Sequence, residues 1–302
     1  MITIKNISKN FGDVQALRDI NLEIKDSELF RLIGPDGAGK STLMRLMTTL
    51  FIPNQGQISM NGRDSVTDYK AIRKHVGYMP GRFSLYPDLS VEENLAFYAS
   101  VFGSTIEENY DLVKDVYEQI APFKKRLAGR LSGGMKQKLA LSCALIHRPE
   151  ILILDEPTTG VDAVSRKEFW EMLKKVQKTG ITIVVSTPYM DEASLCDRVA
   201  LMQKGEVLKL DTPHAIMESF PKKLFAVKSE NQYALLTDLK ANEQVYSVFP
   251  FGQYMHVTLA DENGNVEDLS ASLKENGHKQ VEVKTTQAGI EDMFMYLMNL
   301  ES

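Results

Sequence analysis

The feature that most constrains this chain is the run Gly34–Thr42, GPDGAGKST, which fits the pattern G-x-x-x-x-G-K-[S/T]. A largely apolar run, Leu29–Ile33, precedes it, and apolar residues at helical spacing follow it: Leu43, Leu46, Met47 and Leu50. The context predicts a strand, a glycine loop and a helix, whose backbone N–H groups and N-terminal partial charge bind phosphate groups. Lys40 would reach the terminal phosphates and Ser41 would ligate Mg²⁺. The alternative, a glycine-rich turn that happens to precede Lys-Ser, does not explain the flanking strand and helix.

A second signal is an acidic pair at the end of a buried strand. The aliphatic run Ile151–Leu154 is typical of a parallel strand covered on both faces. Asp155 therefore emerges at the carboxyl end of that strand, where α/β sheets bind ligands. A carboxylate there can hold Mg²⁺, and Glu156 can polarise a water for attack on a phosphate. Acidic turns are common, so this pair gains its weight from the phosphate loop.

A third signal is the sequence LSGGM, Leu131–Met135, which opens a helix predicted over Met135–Ile146. Ser132 and two glycines there would expose a second helix N-terminus to phosphate. Such a segment is more often simply a capped turn, so its position shortly before the Asp155 strand decides its interpretation.

In this order and spacing, the three motifs resemble those of the nucleotide-binding subunit of ABC transporters. The resemblance covers about residues 1–215. It implies an α/β fold: a P-loop NTPase core of the ABC type, with an antiparallel β subdomain and a helical subdomain. It also implies a dimer, in which ATP lies between the phosphate loop of one subunit and the LSGGM signature of the other.

The resemblance also implies roles for individual residues. Lys40 and Glu156 would be catalytic, and Ser41 and Asp155 would hold Mg²⁺. Phe11 would stack on the adenine, unless it is a core aromatic residue. Asp162 matches a loop at the subunit interface and could also cap a helix. The full set expected to bind nucleotide is Phe11, Gly34, Asp36, Gly37, Ala38, Gly39, Lys40, Ser41, Thr42, Ser132, Gly133, Gly134 and Asp162.

Two departures from the family pattern bear on activity. Gly81 stands where the family carries a Gln that contacts Mg²⁺ and the attacking water. Pro188 stands where the family carries a His that bonds the γ-phosphate, and proline has neither a polar side chain nor an N–H. Each lost contact could cost roughly 10²–10³ in rate. A lesser departure is Arg31, where relatives usually carry Gly.

The rest of the chain divides into two predicted domains. Residues 1–218 form the ATP-binding domain, with a helical insert at about 86–148. Residues 219–302 form a small α+β domain, because their elements follow the order β-α-β-β-α-β of a ferredoxin-like split. The closing segment, Ala288–Phe294, resembles the tail of ATPases that serve drug- and lipid-type exporters.

Composition narrows the setting. The formal net charge of −5 argues against a nucleic-acid partner. The chain has no run of about 20 apolar residues and no signal-peptide pattern at Met1–Ile4, so we expect a cytoplasmic protein. Cys143 and Cys196 are expected to be buried thiols.

We therefore expect an ATPase with ATP and Mg²⁺ as cofactors, peripheral on the inner face of the cell membrane. It would serve an exporter through a membrane permease and a second ABC ATPase subunit, with a heterodimer favoured by Gly81 and Pro188. Two alternatives stay open: a structural subunit with little hydrolysis, and a soluble ABC ATPase acting outside transport.

Overall fold

The computed structural model describes residues 1–261 and 266–300. The chain forms two compact units, Met1–Pro213 and His214–Ser302. The predicted boundary after residue 218 lies at the end of helix α7 (Pro213–Glu218) rather than at its start.

The first unit begins with a four-stranded antiparallel sheet. Its strands are β1 (Ile2–Phe11), β2 (Val14–Ile24), β4 (Gln55–Met60) and β5 (Arg63–Asp64), in the order β2-β1-β4-β5. Ile2, Ile4 and Ile7 are buried, while much of the opposite face of β1 is exposed. One face of β1 is therefore buried, as expected for the antiparallel β subdomain.

A six-stranded sheet forms the centre of the same unit. Its strands are β3 (Leu29–Ile33), β6 (Val76–Met79), β7 (Ile151–Asp155), β8 (Thr182–Thr187), β9 (Arg198–Gln203) and β10 (Glu206–Asp211). They lie in the order β10-β9-β3-β8-β7-β6, and every residue of β3, β7 and β8 is buried. This confirms the parallel strand predicted from Ile151–Leu154.

Strand β6 was not predicted, because its four residues include a glycine and show no alternation. A Cβ on Gly77 would lie 2.3 Å from the carbonyl oxygen of Ala144, so the glycine permits close packing of the helix that contains Ala144, α5 (Gly133–Leu145).

Helices of the first unit cover the sheets and build a separate helical segment. Next to the sheets are α1 (Lys40–Met47), α2 (Tyr69–His75) and α6 (Ala163–Lys178). The segment predicted to be helical contains α3 (Val91–Val101), α4 (Tyr110–Tyr117) and α5 (Gly133–Leu145), joined by short 3₁₀ turns and no strand. Ser90 and Glu93 form a capping box that fixes the start of α3.

The second unit is a small α+β fold. Its elements are β11 (Leu224–Lys228), α8 (Gln232–Ala241), β12 (Val245–Phe251), β13 (Tyr254–Leu259), α9 (Val266–Glu275), β14 (Glu282–Thr286) and α10 (Ile290–Leu300). The sheet order is β12-β13-β11-β14 with antiparallel pairs throughout. This is the predicted β-α-β-β-α-β order, followed by a closing helix. Across both units, none of the helices in 1–261 and 266–300 is long and apolar enough to cross a membrane.

Candidate functional site

The loop between β3 and α1 requires glycine at three positions, 34, 37 and 39. Gly37 and Gly39 have φ of 82° and 100°, a region that glycine adopts without strain. A Cβ on Gly34 would lie 2.2 Å from the Met202 carbonyl oxygen, and one on Gly39 would lie 2.8 Å from that of Ala16. Because these positions carry no side chain, the backbone can pack this closely on its neighbours and the loop can curve around a ligand.

Lys40, the first residue of α1, points into this loop. Its side chain is buried, and its Nζ donates to the carbonyl oxygens of Gly34 and Pro35 at 2.8 and 3.0 Å. Burial lowers the pKa of Lys40, while the carboxylates of Glu156, Asp36 and Asp155 act in the opposite direction. A buried ammonium held by carbonyl oxygens is a strong site for an incoming anion.

Asp155 receives two hydroxyl groups from different elements. Its Oδ1 accepts from Ser41 Oγ at 2.9 Å and from Ser186 Oγ at 2.6 Å. Asp155 and Ser186 are register partners at the ends of β7 and β8, so the parallel sheet brings them together. Ser186 was not predicted as a site residue, although a serine ending a buried strand beside the Asp155 strand was a usable signal.

Glu156 is held in a conformation that few non-glycine residues adopt, with φ of 51°. Its N–H donates to Ser186 Oγ at 2.9 Å and to the Ser186 carbonyl oxygen at 3.1 Å. Its carboxylate lies 3.8 Å from Lys40 Nζ and accepts from Thr159 Oγ1 at 3.3 Å. A strained backbone fixed by neighbouring contacts is common in functional sites. Here it places a partly exposed carboxylate beside the buried ammonium.

The oxygens of this cluster suit Mg²⁺. The Ser41 hydroxyl donates a hydrogen bond to Asp155, so the lone pairs of the Ser41 oxygen can bind a cation. Mg²⁺ in nucleotide sites uses one or two protein oxygens together with phosphate and water. Ser41 and Asp155 supply protein oxygens of this number and kind.

The signature residues form a second cluster. Ser132 Oγ accepts from the N–H of Met135 at 3.4 Å and caps α5, as the capped-turn alternative required. A Cβ on Gly134 would lie 2.8 Å from Ser165 Oγ, and one on Gly133 would lie 3.6 Å from the carbonyl oxygen of Gly160. Helix α5 packs on α3, α4, α6 and β6, whereas α1 packs on β2, β4 and β7. The two motifs therefore belong to two separate clusters of one chain.

Asp162 acts as a helix cap. Its Oδ1 accepts from the N–H groups of Val164 and Ser165, at 3.1 and 3.0 Å, and starts α6. The hydrogen bond from the backbone of Ser165 is the main reason that the pKa of Asp162 is lowered. The carboxylate remains exposed and available to a partner.

Phe11 is not a core residue. Its ring is 43% exposed and packs edge-on against Phe51, with 5.3 Å between centroids. It ends β1 and pairs with Val14 at the start of β2, and Ala16 on β2 lies against Gly39 of the phosphate loop. An exposed aromatic ring near this loop can stack on a base.

A cavity of about 480 Å³ lies elsewhere, between α6 and the 3₁₀ turn Asp191–Leu195. Trp170 and Leu195 line it together with the side chains of several lysines, and no residue of the phosphate loop takes part. The cavity is therefore separate from the cluster of Lys40, Ser41, Asp155 and Glu156.

Comparison with known proteins agrees with this geometry. Residues 17–159 match the ABC transporter family. The Nod factor export ATP-binding protein I of Burkholderia orbicola is 33% identical over 304 residues, which cover 99% of this chain and 97% of that protein. The chain belongs to the ABC transporter family.

Two further relatives extend the comparison. The probable multidrug ABC transporter ATP-binding protein YbhF of Escherichia coli is 40% identical over 215 residues, 70% of this chain. Those residues span only 37% of YbhF. The ATP-binding cassette MJ0796, solved as a dimer in a post-hydrolysis state with ADP and Pi, superposes with a TM-score of 0.64 at 27% identity. The superposition covers 70% of this chain and 98% of that cassette.

ABC ATPases bind ATP and use Mg²⁺, and their fold is the P-loop NTPase core expected from the sequence. Within this family fold, this chain carries no polar side chain at positions 81 and 188, where the resemblance implies a Gln and a His. A Cβ on Gly81 would lie 3.1 Å from the Asp155 carbonyl oxygen and 3.8 Å from Glu156 Cβ, so position 81 does face the acidic pair. Pro188 follows the end of β8, two residues after Ser186. Tyr189, which could have replaced a missing contact, packs its ring under the Arg166 guanidinium at 4.6 Å.

Proposed function

We propose that this chain is the ATP-binding subunit of an ABC exporter that binds MgATP at the loop Gly34–Thr42, hydrolyses it and powers a separate membrane permease. The observation that carries the proposal is the cluster of Lys40, Ser41, Asp155 and Glu156 around one phosphate-sized loop. Relatives named as multidrug and Nod factor export proteins support the exporter class. The subunit would lie on the inner face of the membrane, bound to its permease.

In this proposal, Lys40 neutralises charge on the terminal phosphates and the loop amides bind the phosphate oxygens. Ser41 and Asp155 hold Mg²⁺, which supplies charge neutralisation at the phosphates when bound. Glu156 orients and polarises the attacking water. Phe11 stacks on the adenine, and Asp36, Gly37, Ala38 and Thr42 complete the nucleotide contacts.

The test is thermal stabilisation by MgATP in Lys40→Ala, with Lys209→Ala on strand β10 as the matched control. We expect the parent and the control to be stabilised, because a ligand that binds only the folded state raises the unfolding midpoint. Lys40→Ala should lose that shift. A variant stabilised as strongly as the parent would contradict the site assignment.

The permease would dock on the helical segment near Phe83–Asn94. Phe83, Tyr86 and Phe97 are exposed aromatic residues there, with exposures of 43%, 47% and 39%. A cluster of exposed large side chains is typical of a protein interface. Replacing Phe83 and Tyr86 with Ser should weaken co-purification with the permease and leave MgATP stabilisation intact.

A second candidate concerns the dimer. In an ABC dimer, each site would combine the phosphate loop of one subunit with the signature of the other, through Ser132, Gly133, Gly134 and Asp162. Gly81 and Pro188 weaken this chain's own phosphate-loop side, while its signature is intact. A homodimer would contain two weakened sites, so we propose a heterodimer with an ATPase subunit that carries the missing Gln and His.

The heterodimer predicts an asymmetric response in the reconstituted complex. Ser132→Arg in this chain should nearly stop hydrolysis, since it blocks the partner's complete site. Glu156→Gln in this chain should matter much less. If Glu156→Gln is the more damaging change, the heterodimer proposal is wrong.

A further inference from the structure

Arg31 is a fully buried arginine in the middle of the central sheet. It lies on β3, three residues before Gly34, between Val185 of β8 and Val199 of β9. A guanidinium without solvent is costly unless charge and hydrogen bonds compensate it. Burial lowers the pKa of Arg31, and Glu192 opposes this. The contacts of the Arg31 guanidinium must therefore compensate the cost of its burial.

Its contacts converge on one loop, Thr187–Glu192, which we call loop 187–192. Arg31 Nη2 donates to the carbonyl oxygen of Tyr189 and to Glu192 Oε2, both at 2.7 Å. On its other side, the guanidinium carbon lies 4.9 Å from the centroid of the Trp170 ring on α6. The guanidinium thus links the strand of the phosphate loop to loop 187–192 and to α6.

Loop 187–192 is held at several further points. Tyr189 N–H donates to Thr187 Oγ1 at 3.0 Å, and Thr187 Oγ1 lies 3.4 Å from Glu192 Oε2. Arg166 Nη1 lies 3.8 Å from Glu192 Oε1. Glu192 is 6% exposed, so its charge depends on these two arginines.

This loop continues directly from the residue that fixes the acidic pair. Ser186 precedes Thr187, donates to Asp155 and accepts from the Glu156 N–H. A displacement of loop 187–192 would therefore displace Ser186 and, with it, the backbone of Glu156. Pro188 offers neither a polar side chain nor an N–H to a phosphate, so the position of the loop depends on the contacts made by Arg31, Thr187 and Arg166.

We infer that Arg31 is a positioning residue that, by fixing loop 187–192 through Tyr189 and Glu192, sets the orientation of Glu156. This inference rests on the proposed function only in what Glu156 does. The geometry of the loop is independent of it. Both hydrogen bonds come from Nη2 alone, so lysine can replace Arg31 only in part: its ammonium also donates, but it lacks the planar group that packs on Trp170.

The experiment compares Arg31→Met, Arg31→Lys and the double variant Arg31→Met/Glu192→Met. The single methionine leaves Glu192 buried with only Arg166, so it should lower the unfolding midpoint. The double variant removes both charges and should recover much of that midpoint. The matched control is Arg198→Met, which breaks the Arg198–Glu28 pair (3.3 Å) on the same sheet without touching loop 187–192.

Two readouts separate positioning from stability. In the nucleotide-free chain, hydrogen exchange in peptides covering 187–194 and 153–158 should rise in both methionine variants, including the restabilised double variant. In single-turnover hydrolysis, both should be slower by roughly tenfold or more, since small misplacements have effects of that size. MgATP affinity should stay within about threefold of the parent, because Lys40 and the loop amides are untouched. Arg31→Lys should recover part of the hydrolysis rate.

Either of two results would overturn the inference: a double variant that exchanges and hydrolyses like the parent, or an equal loss in Arg198→Met. Failure of the proposed function has a different signature. In that case the parent itself would not bind MgATP, while the hydrogen-exchange comparison would still decide the role of Arg31.

Discussion

The two walls of the candidate site differ in how much polar chemistry they carry. On one wall, Ser41 donates to Asp155 at 2.9 Å, and Lys40 Nζ lies 3.8 Å from the Glu156 carboxylate. On the other, positions 81 and 188 carry no side chain that could donate a hydrogen bond or bear a charge, although Gly81 faces the same acidic pair. We infer that the first wall holds the nucleotide and that the second lacks side chains that would help to transfer the phosphoryl group. We therefore expect firm binding and slow hydrolysis.

The largest effect should come from the wall formed by Lys40, Ser41, Asp155 and Glu156, which we call the polar wall. Asp155→Asn removes the charge that organises Ser41 and Ser186, so the affinity for MgATP should fall roughly 10- to 100-fold. Gly81→Ala, on the wall formed by Gly81 and Pro188, which we call the bare wall, should leave that affinity unchanged. Isothermal titration of both variants checks the contrast, with Asp64→Asn on β5 as the control for a distant carboxylate. Equal losses in Asp155→Asn and Gly81→Ala would remove the distinction between the walls.

A smaller effect concerns the base of the bare wall, where β6 leads to Gly81. The His147 ring bonds the Val76 carbonyl oxygen at 3.3 Å, and burial lowers the pKa of His147 from 6.5 to about 4. The unfolded chain takes up this proton at higher pH than the folded one, so stability is complete above pH 6.5 and falls towards pH 4. The loss should be about 2 kcal/mol between pH 7 and 4.5.

Urea unfolding at both pH values measures this loss. His147→Gln should lack this share of the acid sensitivity, because glutamine takes up no proton. A variant that loses as much stability on acidification as the parent would show that His147 does not hold β6 in this way.

The smallest effect is expected from the unit His214–Ser302, because both walls of the site lie in Met1–Pro213. A chain ending at residue 218, which retains α7, should fold and show the same thermal shift with MgATP as the full protein. An insoluble product, or one that does not respond to ATP, would contradict both this expectation and the predicted domain boundary.

Local patterns in the sequence were sufficient to predict much of this molecule. The phosphate loop and the strand before Asp155 have strong signals that depend on neighbouring residues only. The small α+β domain has the predicted order of strands and helices, because its apolar residues recur at strand and helix spacing.

Features that depend on distant contacts could not be predicted. The place of Ser186 near the end of a buried strand was a local signal, but its contact with Asp155 depends on the register between β7 and β8. The partners of Arg31 lie about 160 residues further along the chain, so its burial gave no local signal. Strand β6 is recognisable only once Gly77 is seen to pack against Ala144.

The central claim is that this site binds MgATP well and lacks two contacts needed for fast hydrolysis. The most direct measurement compares the parent with Gly81→Gln/Pro188→His, recording MgATP affinity and single-turnover hydrolysis in the same preparation. Gly81→Ala/Pro188→Ala is the control for changed backbone and volume. We predict equal affinity and hydrolysis at least roughly tenfold faster in the Gln/His variant alone, since each such contact can contribute 10²–10³. A parent that already hydrolyses as fast as the Gln/His variant would contradict the account.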